Sequence, residues 1–265
     1  MNDLPPELAP PAGEDHASAE DYAAGVAVII PAYNEAATIR ALVMGVLSAV
    51  PRLGWLIVID DGSRDATTGQ LEGLGVTLLR HSRNRGKGAS LLEGMRWALE
   101  QGAHALVTLD ADGQHRPEDI PQLLGQARHH PKHIIIGARL HDRAQFPARR
   151  YYANRCASIG VSWATGYKVA DSQSGFRVYP AALFHRVRLD NLHQTGFAFE
   201  SEVLVAAASH GVQSIAVPIP GIYPKQARAS HFRPLEDTLR IAFMLLGYIA
   251  RRHLCGRWGR FNAKG

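Results

Sequence analysis

Cysteine is nearly absent from this chain of 265 residues: there are only Cys156 and Cys255, far apart and without metal-ligand spacing. They read as incidental thiols of a reducing compartment, not as a disulfide. No charged start followed by an apolar stretch marks a secretory leader, so export is not expected and a cytoplasmic location is. The apolar run Ile241–Ala250 is ten residues long. As a helix it would reach about 15 Å, half of a bilayer core, so it cannot span one. Internal repeats, low-complexity tracts and a Gly/Ser/Pro-rich linker are also missing, which favours one main domain. The G-x-x-x-x-G-K-[ST] spacing of a Walker loop does not occur, and no G-x-G-x-x-G follows a strand, which argues against nicotinamide or flavin binding.

What is present is a core-forming composition, 46% hydrophobic with a net charge of +5. The charge is uneven. From Lys225 to Gly265 nine Lys/Arg face only Glu236 and Asp237, a local net charge of +7. Such a tail suits an anionic lipid surface, anionic substrates or RNA, but no aromatic-basic platform supports nucleic-acid binding. Residues 1–22 combine prolines, small residues and acids without an apolar period and are expected to form a flexible arm.

Order is expected from Val26. The run Val26–Ile30 reads as a buried parallel strand ended by Pro31, with a helix expected over 35–50. Strands are expected at 56–59, 76–79, 105–109, 134–136 and 214–217, and an extended segment at 175–179. Helices are expected over 87–100, from Pro117, and over 149–165 and 199–209. This alternation predicts an α/β domain with a mostly parallel sheet flanked by helices. Polar residues collect just after the strands: Asn34 and Glu35, Asp60 and Asp61, Asp110 and Asp112, and Arg139. In open α/β sheets ligands bind at the carboxyl ends of the strands. These residues are therefore expected to converge.

Asp110-Ala111-Asp112-Gly113-Gln114-His115 follows an apolar strand and carries two carboxylates aimed at one place. Mg²⁺ and Mn²⁺ prefer oxygen ligands and commonly bridge a carboxylate to substrate phosphates. Asp110, Asp112 and Gln114 are the expected metal ligands, with His115 read as a packing neighbour. Asp60-Asp61-Gly62-Ser63 supplies a second acidic turn, in which Asp61 could accept from a ribose or base and Ser63 or Asp65 could cap the segment after the turn. Asn84-Arg85-Gly86-Lys87-Gly88 opens a helix with backbone N–H groups and Lys87, a place suited to phosphate.

Together with Pro31-Ala32-Tyr33-Asn34-Glu35, these motifs occur in an order that resembles family 2 glycosyltransferases, the dolichyl- or polyprenyl-phosphate hexose synthases most of all. The resemblance covers residues 25–220. It implies a GT-A fold, a GDP- or UDP-linked sugar donor, Mg²⁺ or Mn²⁺, and inversion at the anomeric carbon. On this resemblance Pro31, Tyr33, Glu35, Asp61, Lys87, Asp110, Ala111 and Asp112 contact the donor, and Arg139 its phosphates. Arg150 and Asn154 fall where those synthases hold the acceptor phosphate, asparagine standing in place of a serine. Lys225 and Arg228 fall in a basic loop that closes over the phosphates. Asp171-Ser172-Gln173-Ser174-Gly175-Phe176-Arg177 resembles an acceptor-side segment, in which Asp171 and Arg177 could also form an internal ion pair.

Phe199-Glu200-Ser201-Glu202 resembles the site where inverting relatives carry a catalytic carboxylate, so on this resemblance Asp112, Glu200 and Glu202 are the catalytic candidates. The two glutamates lie two apart on a helix and do not share a face, so at most one should reach the acceptor. A hydroxyl acceptor needs a general base whereas an ionised phosphate does not. The expected domains are a 1–22 arm, a 23–222 catalytic domain, and a 223–265 basic loop with an amphipathic helix. That helix could lie on a membrane surface with its arginines at the headgroups, or pack on protein. The expected acceptor is a polyprenyl phosphate or another lipid, met at the inner face of the cytoplasmic membrane. The alternatives are transfer to a hydroxyl group and a non-catalytic nucleotide-sugar-binding partner protein. A nucleotidyltransferase would need a basic Gly-rich loop after the first strand, where Pro31–Glu35 stands instead.

Overall fold

A computed structural model describes residues 18–139, 148–192 and 199–220. Strands β1 (Val26–Ala32), β2 (Trp55–Asp60), β3 (Thr77–Arg80), β4 (Ala105–Thr108), β5 (Ile134–Ala138), β6 (Arg177–Pro180) and β7 (Ser214–Pro218) form one sheet, ordered β3-β2-β1-β4-β6-β5-β7. Only β6 runs antiparallel to its neighbours β4 and β5; the other pairings are parallel. The mostly parallel α/β sheet expected from the sequence is thus the one observed.

Alternation along β1 shows how the core divides. Ala27 and Ile29 point to one face, where they meet Leu91, Leu92 and Met95 of α3 (Lys87–Glu100) and Phe199, Val203 and Leu204 of α6 (Phe199–Ser209). Val26, Val28 and Ile30 point to the other, toward Leu42, Val43 and Val46 of α2 (Ile39–Ala49) and Ile120, Leu123 and Leu124 of α4 (Ile120–His129). Both faces are covered, which is why β1 reads as an almost unbroken apolar run. Helix α5 (Ala148–Thr165) adds Val161 and Ala164 to the first face.

The approach of α3 is set by a missing side chain. A Cβ on Gly94 would stand 2.6 Å from Cγ2 of Ile29 and 2.7 Å from Cδ1 of Ile59, so only glycine lets the helix lie this close to β1 and β2. That packing carries the first residue of α3, Lys87, to the carboxyl end of the sheet.

Three expectations need correction. The arm does not extend to residue 22: Ala19–Ala24 forms helix α1, whose Asp21 N–H donates to Ser18 Oγ at 3.1 Å. Only Ala23 of this helix is buried, so no apolar period announced it. The helix expected from residue 35 begins at Ile39, because the Glu35 carbonyl accepts from the N–H groups of Thr38 and Ile39 in a turn. The helix expected from Pro117 begins as one 3₁₀ turn, Pro117–Asp119, before α4. The expected C-terminal amphipathic helix lies outside the described residues. Among those described, no helix is long and apolar enough to cross a membrane.

Candidate active site

A cleft of about 440 Å³ opens over the carboxyl ends of β1, β2 and β3, lined by Tyr33, Gly62, Ser63, Arg64, Arg80, His81 and Asn84 among others. Its walls are tied to each other. Asn34 N–H donates to Ser63 Oγ and Arg64 N–H to Asn34 Oδ1, both at 2.8 Å, while Glu35 N–H donates to Thr67 Oγ1 at 2.8 Å. Gly62 turns the chain with φ +74°, and loop atoms of Arg83 lie 2.6 Å from where a Cβ would stand. A side chain there would push the two loops apart.

Asp61 holds this cleft together from behind. It is 3% exposed and accepts from Arg85 N–H and Gly86 N–H at 2.8 Å, with His81 Nδ1 at 2.6 Å. His81 Nε2 stands 2.7 Å from Glu93 Oε2, which also accepts from Arg85 Nη1 at 3.1 Å. Both Asp61 oxygens meet protein donors, and the side chain shapes the loop before α3. His81 and Glu93 were not foreseen; the signal for His81 was its place immediately after a strand, as for the other site residues. Glu35 directs Oε2 to Thr38 Oγ1 at 3.0 Å. Pro31 is half-buried at the end of β1, and Ala111 is buried, which leaves its main chain as the part available to a donor.

The second half of the site lies at the end of β4. Lys87 Nζ stands 2.6 Å from Asp110 Oδ1 and 2.6 Å from Glu200 Oε1. Three residues spread over more than a hundred positions are joined because α3, β4 and α6 all end here. Burial alone would push the lysine down, but the Asp110 and Glu200 carboxylates outweigh it and hold Lys87 above the ordinary lysine value. Burial likewise pushes Asp110 up, yet the Lys87 ammonium, with His115 behind it, holds that carboxyl well below the usual range. His115 Nε2 lies 3.8 Å from Asp110 Oδ2, too long for a hydrogen bond, and its ring rests on Phe176. A Cβ on Gly175 would stand 2.6 Å from Asp110 Oδ2, so the carboxylate occupies the space that this glycine leaves.

Asp112 is exposed, with its Oδ1 accepting from Gln114 N–H at 3.0 Å, and Gln114 is buried. Among the described residues no cluster of three or more His, Cys, Asp or Glu forms a ready cage. A magnesium-type site commonly takes one or two carboxylates and completes its shell with water and substrate phosphates. Asp110, Asp112 and Gln114 offer the carboxylate and amide oxygens that such an ion takes.

The remaining expectations divide. Glu200 keeps 4% exposure, and its Oε2 has no hydrogen-bond partner among the described residues. Glu202 has no exposed surface, which removes it as a residue in direct contact with an acceptor. The ion pair expected between Asp171 and Arg177 is not formed. Asp171 accepts instead from Arg139 N–H at 3.0 Å and Nε at 3.1 Å, so Arg139 braces the acceptor-side loop and is itself buried. Arg177, wholly buried on β6 between β4 and β5, donates to the carbonyls of Ser172, Ser174 and Glu200 at 2.7, 2.8 and 2.6 Å. Asn154 is half-buried on α5; Arg150 opens the same helix, its side chain outside the described residues, as are Lys225 and Arg228.

This sheet order, with one reversed strand and a cleft beside a carboxylate pair, defines a GT-A glycosyltransferase fold. Residues 27–192 match the glycosyl transferase family 2 domain, and the chain belongs to that family of glycosyltransferases. It is 31% identical over 202 residues to the undecaprenyl-phosphate mannosyltransferase of Micrococcus luteus, covering 73% of this chain and 82% of that one. It is 30% identical over 225 residues to the polyprenol monophosphomannose synthase of Mycolicibacterium smegmatis, covering 82% and 84%. Its fold is similar to that of glucosyl-3-phosphoglycerate synthase from Mycobacterium tuberculosis solved with UDP. The TM-score is 0.65 at 20% identity, over 91% of this chain and 86% of the other. That synthase has also been crystallised with Mn²⁺, UDP-glucose and phosphoglyceric acid.

Proposed function

We propose that this glycosyltransferase moves a hexose from a nucleoside-diphosphate sugar to a polyprenyl phosphate, with inversion at the anomeric carbon. The observation that carries the reading is the Lys87 ammonium, held between Asp110 and Glu200 at the start of α3 and beside the cleft. The nucleoside would occupy the cleft at Tyr33 and Arg64, its base or ribose against the Gly62–Arg64 turn. Its diphosphate would extend toward Lys87 and the N-terminus of α3, where backbone N–H groups and the helix dipole favour anions. Asp110, Asp112 and Gln114 would hold Mg²⁺ or Mn²⁺, which supplies charge neutralisation for the departing diphosphate.

An acceptor phosphate oxygen attacks the anomeric carbon from the face opposite the diphosphate; the new C–O bond forms as the old one breaks. The attacking oxygen is already ionised, so no proton has to be removed. Glu200 then serves to hold Lys87, not to act as a base. Arg150 and Asn154 on α5 would bind the acceptor phosphate, and Lys225 and Arg228 would close over it. A prenyl acceptor resides in a membrane, so the enzyme would work peripherally at its cytoplasmic face. The unpartnered Glu200 Oε2 favours a second reading, in which Glu200 is the base for a hydroxyl acceptor.

Thermal-shift screening of UDP, GDP and their sugars with Mn²⁺ identifies the donor, since a ligand that binds only the native state raises Tm. Transfer of that donor's labelled sugar to polyprenyl phosphate in vesicles then tests the acceptor. We expect a lipid-soluble product that Asp112→Ala abolishes. Transfer to hydroxyl acceptors with none to the lipid phosphate would replace the first reading with the second.

A further inference from the structure

Resting on the metal assignment above, we propose that Lys87 is a resident cation that must leave Asp110 before a divalent ion can bind there, so that metal binding depends on the donor's diphosphate. Lys87 Nζ makes equally short contacts, 2.6 Å each, to Asp110 Oδ1 and Glu200 Oε1. Its side chain is 18% exposed and that of Asp110 23%, so the pair is open to solvent and can exchange. Glu200 is almost wholly enclosed, 5% exposed at its side chain, and its other oxygen has no partner among the described residues. Glu200 therefore cannot turn to water when the lysine moves and keeps its hold on Nζ.

A divalent ion needs oxygen contacts of about 2.1 Å in near-octahedral geometry. An ammonium hydrogen-bonded to the same carboxylate places a second positive charge a few ångströms from the metal, and the two repel. The other oxygen, Oδ2, faces His115 and lies against the main-chain space of Gly175, so it offers no independent approach. Metal alone must therefore break the Lys87–Asp110 pair without return. With a nucleoside diphosphate present, the displaced ammonium gains the phosphates as partners while Glu200 holds its other side. The two ligands thus bind with positive coupling, and by linkage each tightens the other by the same factor.

Mn²⁺ binding to the full chain, followed by the EPR signal of free Mn²⁺, tests this without turnover. Without nucleotide, Lys87→Met and Lys87→Gln should bind Mn²⁺ roughly tenfold or more tightly than wild type, within the usual range of coupling factors. Lys87→Arg, which keeps the charge, should stay as weak as wild type, and adding Asp110→Asn to Lys87→Met should remove the gain. With UDP or GDP, corrected for metal held by free nucleotide, wild type should bind Mn²⁺ as tightly as Lys87→Met. Equal Mn²⁺ affinity of wild type and both neutral variants without nucleotide, in folded protein that binds Mn²⁺ with nucleotide, overturns the placeholder role. Failure of wild type to retain Mn²⁺ even with nucleotide overturns the metal assignment itself.

Discussion

Replacing Arg177 by methionine keeps most of the side-chain volume and removes every donor. In the native protein its guanidinium is wholly buried and serves the carbonyls of Ser172, Ser174 and Glu200, at 2.6 to 2.8 Å, with the Tyr179 hydroxyl at 3.4 Å. Methionine leaves those three carbonyls in a site from which water is excluded. Each orphaned carbonyl costs about 1–3 kcal/mol, so the loss of all three should be about 3–9 kcal/mol. That is a large part of the roughly 5–15 kcal/mol that holds a domain folded. Lysine retains the charge but not the planar fork that meets three acceptors in fixed directions. Its loss should fall between, about 2–4 kcal/mol. Urea unfolding measures both: with m of about 2 kcal/mol per molar, Arg177→Met should lower the midpoint by roughly 1.5–4.5 M. A loss below about 1 kcal/mol with an unchanged slope would refute the reasoning, because it would mean the carbonyls find other donors.

Gly175→Ala sets a Cβ 2.6 Å from Asp110 Oδ2 and 2.8 Å from Oδ1, so the carboxylate must move. Because a 1 Å misplacement can cost about a hundredfold, sugar transfer should fall by roughly that factor while Tm stays within a few degrees; an undiminished rate would show that Asp110 has freedom to spare. Burial holds the His104 imidazole below its ordinary value, and the same holds for His133, where His130 adds to the effect. As pH falls below about 6.5, the unfolded chain takes up protons that the folded chain refuses. Stability is therefore lost on acidification and levels off below the lowered folded values. Tm measured from pH 8 to 5.5 should decline, and His104→Gln should decline less; identical slopes would exclude His104 as a contributor.

Two helices were legible to the residue. Lys87–Glu100 and Phe199–Ser209 begin and end where the sequence places them. Both carry buried residues over most of their length, and the first starts after Gly86, whose φ of +92° no other residue adopts readily. The strand-end rule gathered Asp60, Asp61, Asp110, Asp112 and Arg139 at one end of the sheet, because the rule speaks of topology and not of partners. Partners are what stayed hidden. Asp171 had two arginines within reach in sequence terms, and the choice of Arg139 depends on β6 entering the sheet antiparallel, which seats Arg177 between Thr108 and Ile136. The spacing of Glu200 and Glu202 implied that only one could face the cleft; which one depends on how α6 is rotated against the sheet.

The division of labour among the cations around β4 to β6 bears on how the site works. Arg139 is committed to Asp171 and buried, and Arg177 is committed to three carbonyls and buried. Neither can turn to a phosphate without leaving buried acceptors unpaired, at about 1–3 kcal/mol for each. Lys87 differs because its partners are two carboxylates, one of which can be given to a metal ion. On the metal assignment proposed above, charge on the arriving diphosphate would be met by the released lysine, and charge on Asp110 by the metal in its place. A Lys87→Met enzyme would lose the second partner for the diphosphate even as it held metal more tightly. Its catalytic defect would therefore persist at saturating Mn²⁺, whereas a defect of metal affinity alone would be overcome there.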